Sequence, residues 1–161
     1  MGVIYSVFPL DDKFRAALSE YDQQDEGWPD GRNPSIAEVR HALDGLIGFK
    51  ADFEPTPVSG GAWGATIEDA THPEEGPWTT LRTLNYIDEA VPTEIYFEKG
   101  WPDLIVSTVA RLAKTCGTLC LVPDTGEAPL VVHSGADPIH LLNAWEHTRP
   151  MPASPEEDDG V

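Results

Sequence analysis

The chain of 161 residues carries 28 acidic against 10 basic side chains, a formal charge of −18 at pH 7. Such a field repels phosphate backbones and anionic lipid and attracts basic surfaces within a Debye length of ~8 Å, which argues against direct nucleic-acid and membrane-surface binding. An apolar share of 40% with five Trp, five Phe and four Tyr excludes a wholly disordered chain, and this length fits one domain that buries roughly 68–70% of its unfolded surface.

No stretch approaches the ~18 consecutive apolar residues of a membrane-spanning helix, and Met1-Gly2-Val3-Ile4-Tyr5 has no basic leader pattern, so the expectation is a cytoplasmic protein. Cys116 and Cys120 are too few for a disulfide framework and read as reduced core thiols.

Val3–Phe8 is an apolar run closed by Pro9 and reads as a strand. Asp11 or Asp12 then caps a helix through Tyr21. Phe14, Leu18 and Tyr21 give it an inner face, while Lys13, Arg15 and Glu20 stay in water. Asp22–Asn33, DQQDEGWPDGRN, has no periodicity and reads as a loop with Trp28 in its middle. Ser35-Ile36-Ala37-Glu38 is a capping box, in which hydroxyl and carboxylate satisfy reciprocal backbone donors, and it opens a helix to about Ile47. Ile36, Val39, Leu43, Leu46 and Ile47 form its apolar stripe, and Gly48 is placed to stop it.

Phe49–Pro55, Ala62–Ala70, Thr79–Ile87 and Thr93–Glu98 follow, separated by PVSGG, THPEEGP and DEAVP. An antiparallel meander is the economical arrangement, although the imperfect alternation of Leu81–Ile87 fixes no register. Trp101-Pro102-Asp103 starts a helix in which Ile105, Val109, Leu112 and Cys116 recur at the helical period and Gly117 sits at C′. Leu119–Val122 and Leu130–His133 flank PDTGEAP as a hairpin in which Gly126 can take φ > 0. Asp137-Pro138 starts a last helix through about Thr148, packing Ile139, Leu142 and Trp145. The expected fold is α+β, a mainly antiparallel sheet of about five to seven strands with about four helices packed on it. Residues 1–149 form a single domain, and 150–161 form an acidic tail too poor in apolar residues to order itself.

Asp124-Thr125-Gly126 matches the core of aspartic proteases, in which two such turns pair their carboxylates. Pro123 before it and Glu127 after it depart from that pattern, Val131–Gly135 is a loose echo of the second element, and Asp, Thr and Gly are ordinary hairpin residues. It reads as a turn. His41, His72, His133, His140 and His147 include no HExxH, and two lone cysteines lack a second ligand pair. Ser59–Gly64 is Gly-rich but leads into a strand, so it presents no helix N-terminus to a phosphate. No catalytic residue, cofactor or metal ligand is predicted.

The positive signal is carboxylates interleaved with aromatics: Asp22, Asp25, Glu26, Trp28 and Asp30 in the first long loop, then Glu68, Asp69, Glu74, Glu75 and Trp78 around the central turn. Aromatic anchors with anionic rims suit a basic protein partner. A single acidic α+β domain short on catalytic motifs, with Trp-bearing loops, resembles the small cytosolic immunity proteins of bacterial toxin systems. The segment EIYFEKGWPDLIVSTVARLAKTCGTLCLVPDTGEAPLVV, about a quarter of the chain, is similar in style to their C-terminal halves. The resemblance implies a non-enzymatic protein that occludes the active surface of a cognate toxin, often a nuclease: its acidic surface steers association and its aromatics slow dissociation. Two alternatives stand beside it. One is a small hydrolase or metal-dependent enzyme using Asp124 or a His cluster. The other is an acidic nucleic-acid mimic, which requires carboxylates spaced like phosphates.

Overall fold

The computed structural model describes residues 3–21, 27–54, 63–72, 74–83, 90–125 and 128–147. Within them the chain forms β1 (Ile4–Pro9), α1 (Asp12–Leu18) with a 3-10 turn at Ser19–Tyr21, α2 (Ile36–Asp44), and the strands β2 (Phe49–Phe53), β3 (Gly64–Asp69), β4 (Trp78–Thr83) and β5 (Ile95–Gly100). There follow α3 (Pro102–Cys116), β6 (Leu119–Pro123), β7 (Leu130–Val132) and α4 (Pro138–His147). The described strands make one seven-stranded sheet in the order β2-β3-β4-β5-β1-β6-β7, antiparallel at every join.

The α+β class and the meander β2 to β5 match the sequence expectation. The N-terminal strand takes the central place. Because α3 returns the chain from the end of β5 to the start of β6, those two strands run the same way. A slot one strand wide lies between them, and β1 fills it antiparallel to both, with Val7 opposite Ile95 on one side and Leu121 on the other.

Side chains alternate faces along a strand, so this register gathers one set of residues toward the helices. Tyr5 and Val7 line up with Phe97 and Ile95, then Leu81 and Ala65 on one flank and Leu121, Leu119 and Val132 on the other; all are buried. α2 and α3 cover them with Ile36, Val39, Leu43, Ile105, Val109 and Leu112. Fully buried Trp63 closes the β2 corner. Its indole N–H donates to the Glu54 carbonyl at 3.0 Å, its ring stacks on Phe53, and the Arg40 guanidinium lies over both rings at 4.8 and 4.9 Å. On the opposite face of the sheet a smaller cluster of Leu10, Leu18, Cys120 and Val131 sits under α1, with Phe14 and Trp28 against it.

The helix starts follow the sequence. Asp11 accepts from the Phe14 N–H at 2.8 Å, and the Ser35–Glu38 capping box closes in both directions. The end of α2 does not: the helix stops at Asp44, short of Ile47. Past it the backbone bonds tighten to three-residue steps, from the Gly45 N–H to Ala42 at 3.3 Å and from the Leu46 N–H to Leu43 at 3.2 Å, and Arg111 of α3 donates Nε to the same Ala42 carbonyl at 2.9 Å. Gly45 permits this, since a Cβ there would run into the guanidinium. Gly48, with φ +85, instead shapes the turn into β2.

Ile47, expected in the apolar stripe, is therefore 95% exposed. Ile139, expected to pack, is likewise exposed, and α4 docks through Leu141 and Leu142. Arg15 also departs from expectation, donating to the Trp28 carbonyl and pairing with Asp30 at 2.8 Å. Residues 84–87 of the expected third middle strand, the glycines at 60, 61 and 126, the Trp145 side chain and the tail 150–161 lie outside the described residues. Among the described residues no helix is long and apolar enough to cross a membrane.

Candidate functional site

The other side of the alternation builds a surface. From β2 to β6 the outward residues are Lys50 and Asp52, Thr66 and Glu68, Trp78, Thr80 and Arg82, Tyr96 and Glu98, Ile4 and Ser6, and Val122. α2, α3 and α4 pack on the opposite face, and the cluster under α1 reaches only the Phe8, Cys120 and Val131 end of this one. Among the described residues no element covers the rest.

Registration puts specific pairs together. Glu68 stands opposite both Lys50 and Trp78, and Arg82 opposite Tyr96. The Lys50 ammonium meets Glu68 at 3.6 Å, while Arg82 lies between Glu54 at 2.7 Å and Glu98 at 3.5 Å. Burial opposes the charge on Arg82, but the hydrogen bonds and fields of those two carboxylates prevail and raise its pKa. Half-exposed pairs of this kind add ~0–1 kcal/mol each to stability. Their larger effect is electrostatic: both cations of the face are spent on carboxylates, leaving Asp52, Glu54, Glu68 and Glu98 in excess around half-buried Trp78 and Tyr96. Ile4, 40% exposed, and Val122 extend the apolar part of the face.

The residues predicted from sequence divide between two corners. Trp28 and Asp30 belong to the loop that joins the end of β1 to the start of β6, where Gly31 donates to Leu10 and Arg32 to Cys116. Trp28 is packed against the cluster under α1 and Asp30 holds Arg15, so both serve the fold there. Asp22, Asp25 and Glu26 lie outside the described residues. Glu68 and Trp78 sit on β3 and β4, four and three strand spacings from β6, about 19 and 14 Å, at the opposite end of the strands. Glu74 and Glu75 are exposed in the turn beyond them. Asp69 is turned inward on that hairpin, accepting from Thr71 and His72 N–H groups at 2.8 and 2.7 Å, and these bonds lower its pKa.

Sequence reasoning missed Tyr96, Arg82 and Glu98. The signal was available in the alternation of WTTLRT and IYFEKG, whose outward positions are Trp78, Thr80 and Arg82, and Tyr96 and Glu98.

The residues considered for catalysis have structural surroundings. The Asp124 N–H donates to the Ile4 carbonyl at 2.9 Å, which ties the turn after β6 back to β1. Burial pushes the thiols of Cys116 and Cys120 up to about 11 and about 12, far from the range of a reactive thiolate. Among the described residues no three His, Cys, Asp or Glu side chains are grouped to hold a metal ion. No protein-family model, curated protein or solved structure matches this chain.

Proposed function

We propose that the protein is a binding protein of the immunity type, which captures a basic protein domain, such as a cationic nuclease toxin, on the open face of its sheet and blocks that domain's working surface. One observation carries the reading: Trp78 and Tyr96 stand half-buried in a field of carboxylates, and the cations of that face among the described residues, Lys50 and Arg82, are already paired. Desolvated aromatics are the anchors that dominate binding energy, and an anionic surround selects a cationic partner and speeds its approach. Size agrees. Six strands at ~4.8 Å by about six residues at ~3.3 Å give roughly 500 Å² in plan, and corrugation brings this toward the ~800 Å² that each side of a stable complex buries.

The test is titration calorimetry against the product of the adjacent gene, at low and at physiological salt. The expected result is 1:1 nanomolar binding that weakens with salt, and an affinity loss of ~30-fold or more for Trp78→Ala or Tyr96→Ala. Absence of binding at both salts, or binding indifferent to both substitutions, would overturn the reading.

A further inference from the structure

A concavity lies on the other side of the sheet, where the end of α2, the middle of α3 and the start of α4 meet. Its volume is about 290 Å³, at the lower edge of the ~300–1,000 Å³ that small-molecule sites occupy. Leu46, Phe49, Ala110 and Pro138 supply apolar walls, and Ile47 stands at the mouth, 95% exposed. Ile139, 72% exposed, follows Pro138 directly.

The polar side of the cavity comes from one element. Ser107, Arg111 and Lys114 follow each other at helical spacing along α3 and all line the cavity. Among the described residues no carboxylate lines it, although acids outnumber bases 28 to 10 in the chain. Nearby Asp137 is engaged elsewhere, accepting from the Ile139 N–H at 3.0 Å. Among the described residues neither Arg111 nor Lys114 has an ion pair, in contrast to Arg15, Arg32, Lys50 and Arg82. The Arg111 guanidinium is held in place beforehand by its Nε bond to the Ala42 carbonyl and by the clearance at Gly45. A fixed fork of N–H donors next to a second cation is a carboxylate receptor.

We propose that this cavity binds a small amphiphile with a carboxylate head and a short apolar body, the head between Arg111 and Lys114 and the body against Leu46, Phe49 and Pro138. The overall charge of −18 acts against any anion at long range, but salt screens that field beyond ~8 Å while the two cations act at contact.

The full chain is titrated calorimetrically with octanoate, octanol and octylammonium, three probes of equal chain length, and octanoate is mapped by NMR shifts of Ile47 and Phe49. Expected are 1:1 octanoate binding at millimolar or lower concentration, at least tenfold weaker octanol binding, and no octylammonium binding. Lys114→Glu, at an exposed position, leaves the thermal midpoint unchanged and weakens octanoate at least tenfold; Tyr96→Ala leaves octanoate binding unchanged. Equal affinity for octanoate and octanol, wild-type affinity in Lys114→Glu, or no octanoate binding would each overturn the proposal, and none of these outcomes bears on the sheet face.

Discussion

Glu38 gives the most direct test of how this acidic chain is held together. Its carboxylate closes the α2 capping box on the Ser35 N–H at 3.0 Å and takes a two-pronged contact from Arg32 at 2.7 and 2.6 Å. The Arg32 hydrogen bond, ahead of the Ser35 backbone bond and against the opposing effect of burial, lowers its pKa from 4.5 to about 2. At ~1.36 kcal/mol per pH unit the ceiling is ~3.4 kcal/mol, but Arg32 is half exposed and solvent screens the pair, so about 1–2 kcal/mol is expected. A depressed carboxyl pKa means the folded state releases its proton first. The contribution is therefore complete well above pH 4.5 and is lost as pH falls toward 2.

Glu38→Gln keeps a side chain that can still accept from Ser35 and removes only the charge. Urea unfolding of both proteins should show the variant weaker by about 1–2 kcal/mol at pH 6.5, with the gap narrowing below pH 4.5 and closing only as pH falls through about 2. The difference is the quantity to follow, because protonating the other carboxylates relieves self-repulsion in both proteins alike. A gap that stays constant across this range, or no gap at pH 6.5, would refute the linkage.

Trp63→Ala removes a fully buried ring, its bond to Glu54 and the platform under Arg40, and should cost ~3–5 kcal/mol in urea unfolding; a loss below ~1 kcal/mol would contradict its place in the core. Cys116 and Cys120, buried and with raised pKa values, should be inert to a thiol-titrating disulfide reagent at pH 8 in the native protein and should both react in 6 M urea, as followed by absorbance. Gly45→Ala should lose ~1–3 kcal/mol through displacement of Arg111 from the α2 terminus, and adding Arg111→Ala should recover part of that loss, a coupling read from the double-mutant cycle.

The parts of the fold legible in sequence are those written by local physics. The Ser35–Glu38 box, Asp11 as cap, Pro102 at the start of α3 and Gly117 at its end each act within a turn of their own position, and each stands where the residues place it. The end of α2 was not legible, because Arg111, which packs at Gly45 and bonds the Ala42 carbonyl there, lies 69 residues later in the chain. The same distance in sequence hid the fate of Ile47. Trp28 and Trp78 look alike in sequence, an aromatic among acids in a polar stretch. They separate only once β1 is seen to enter the sheet centre, which brings Leu10 and Cys120 under the first while the second stays on the open face.

That central insertion also fixes which face of the sheet each residue occupies. A one-residue slip of any strand would exchange its faces, burying Tyr96 and Glu98 and exposing Ile95 and Phe97. The slip is opposed on both flanks of β1, since Tyr5 and Val7 are buried against β5 and β6 together. With register fixed by the inner row, the outer row is free of packing duty and its substitutions fall within about ±0.5 kcal/mol of stability. Thr66, Trp78, Thr80, Tyr96 and Glu98 can therefore change while the inner row holds the fold constant. Tyr96→Ala and Phe97→Ala, adjacent in sequence and opposite in face, should divide accordingly, the first costing affinity and the second ~3–5 kcal/mol of stability.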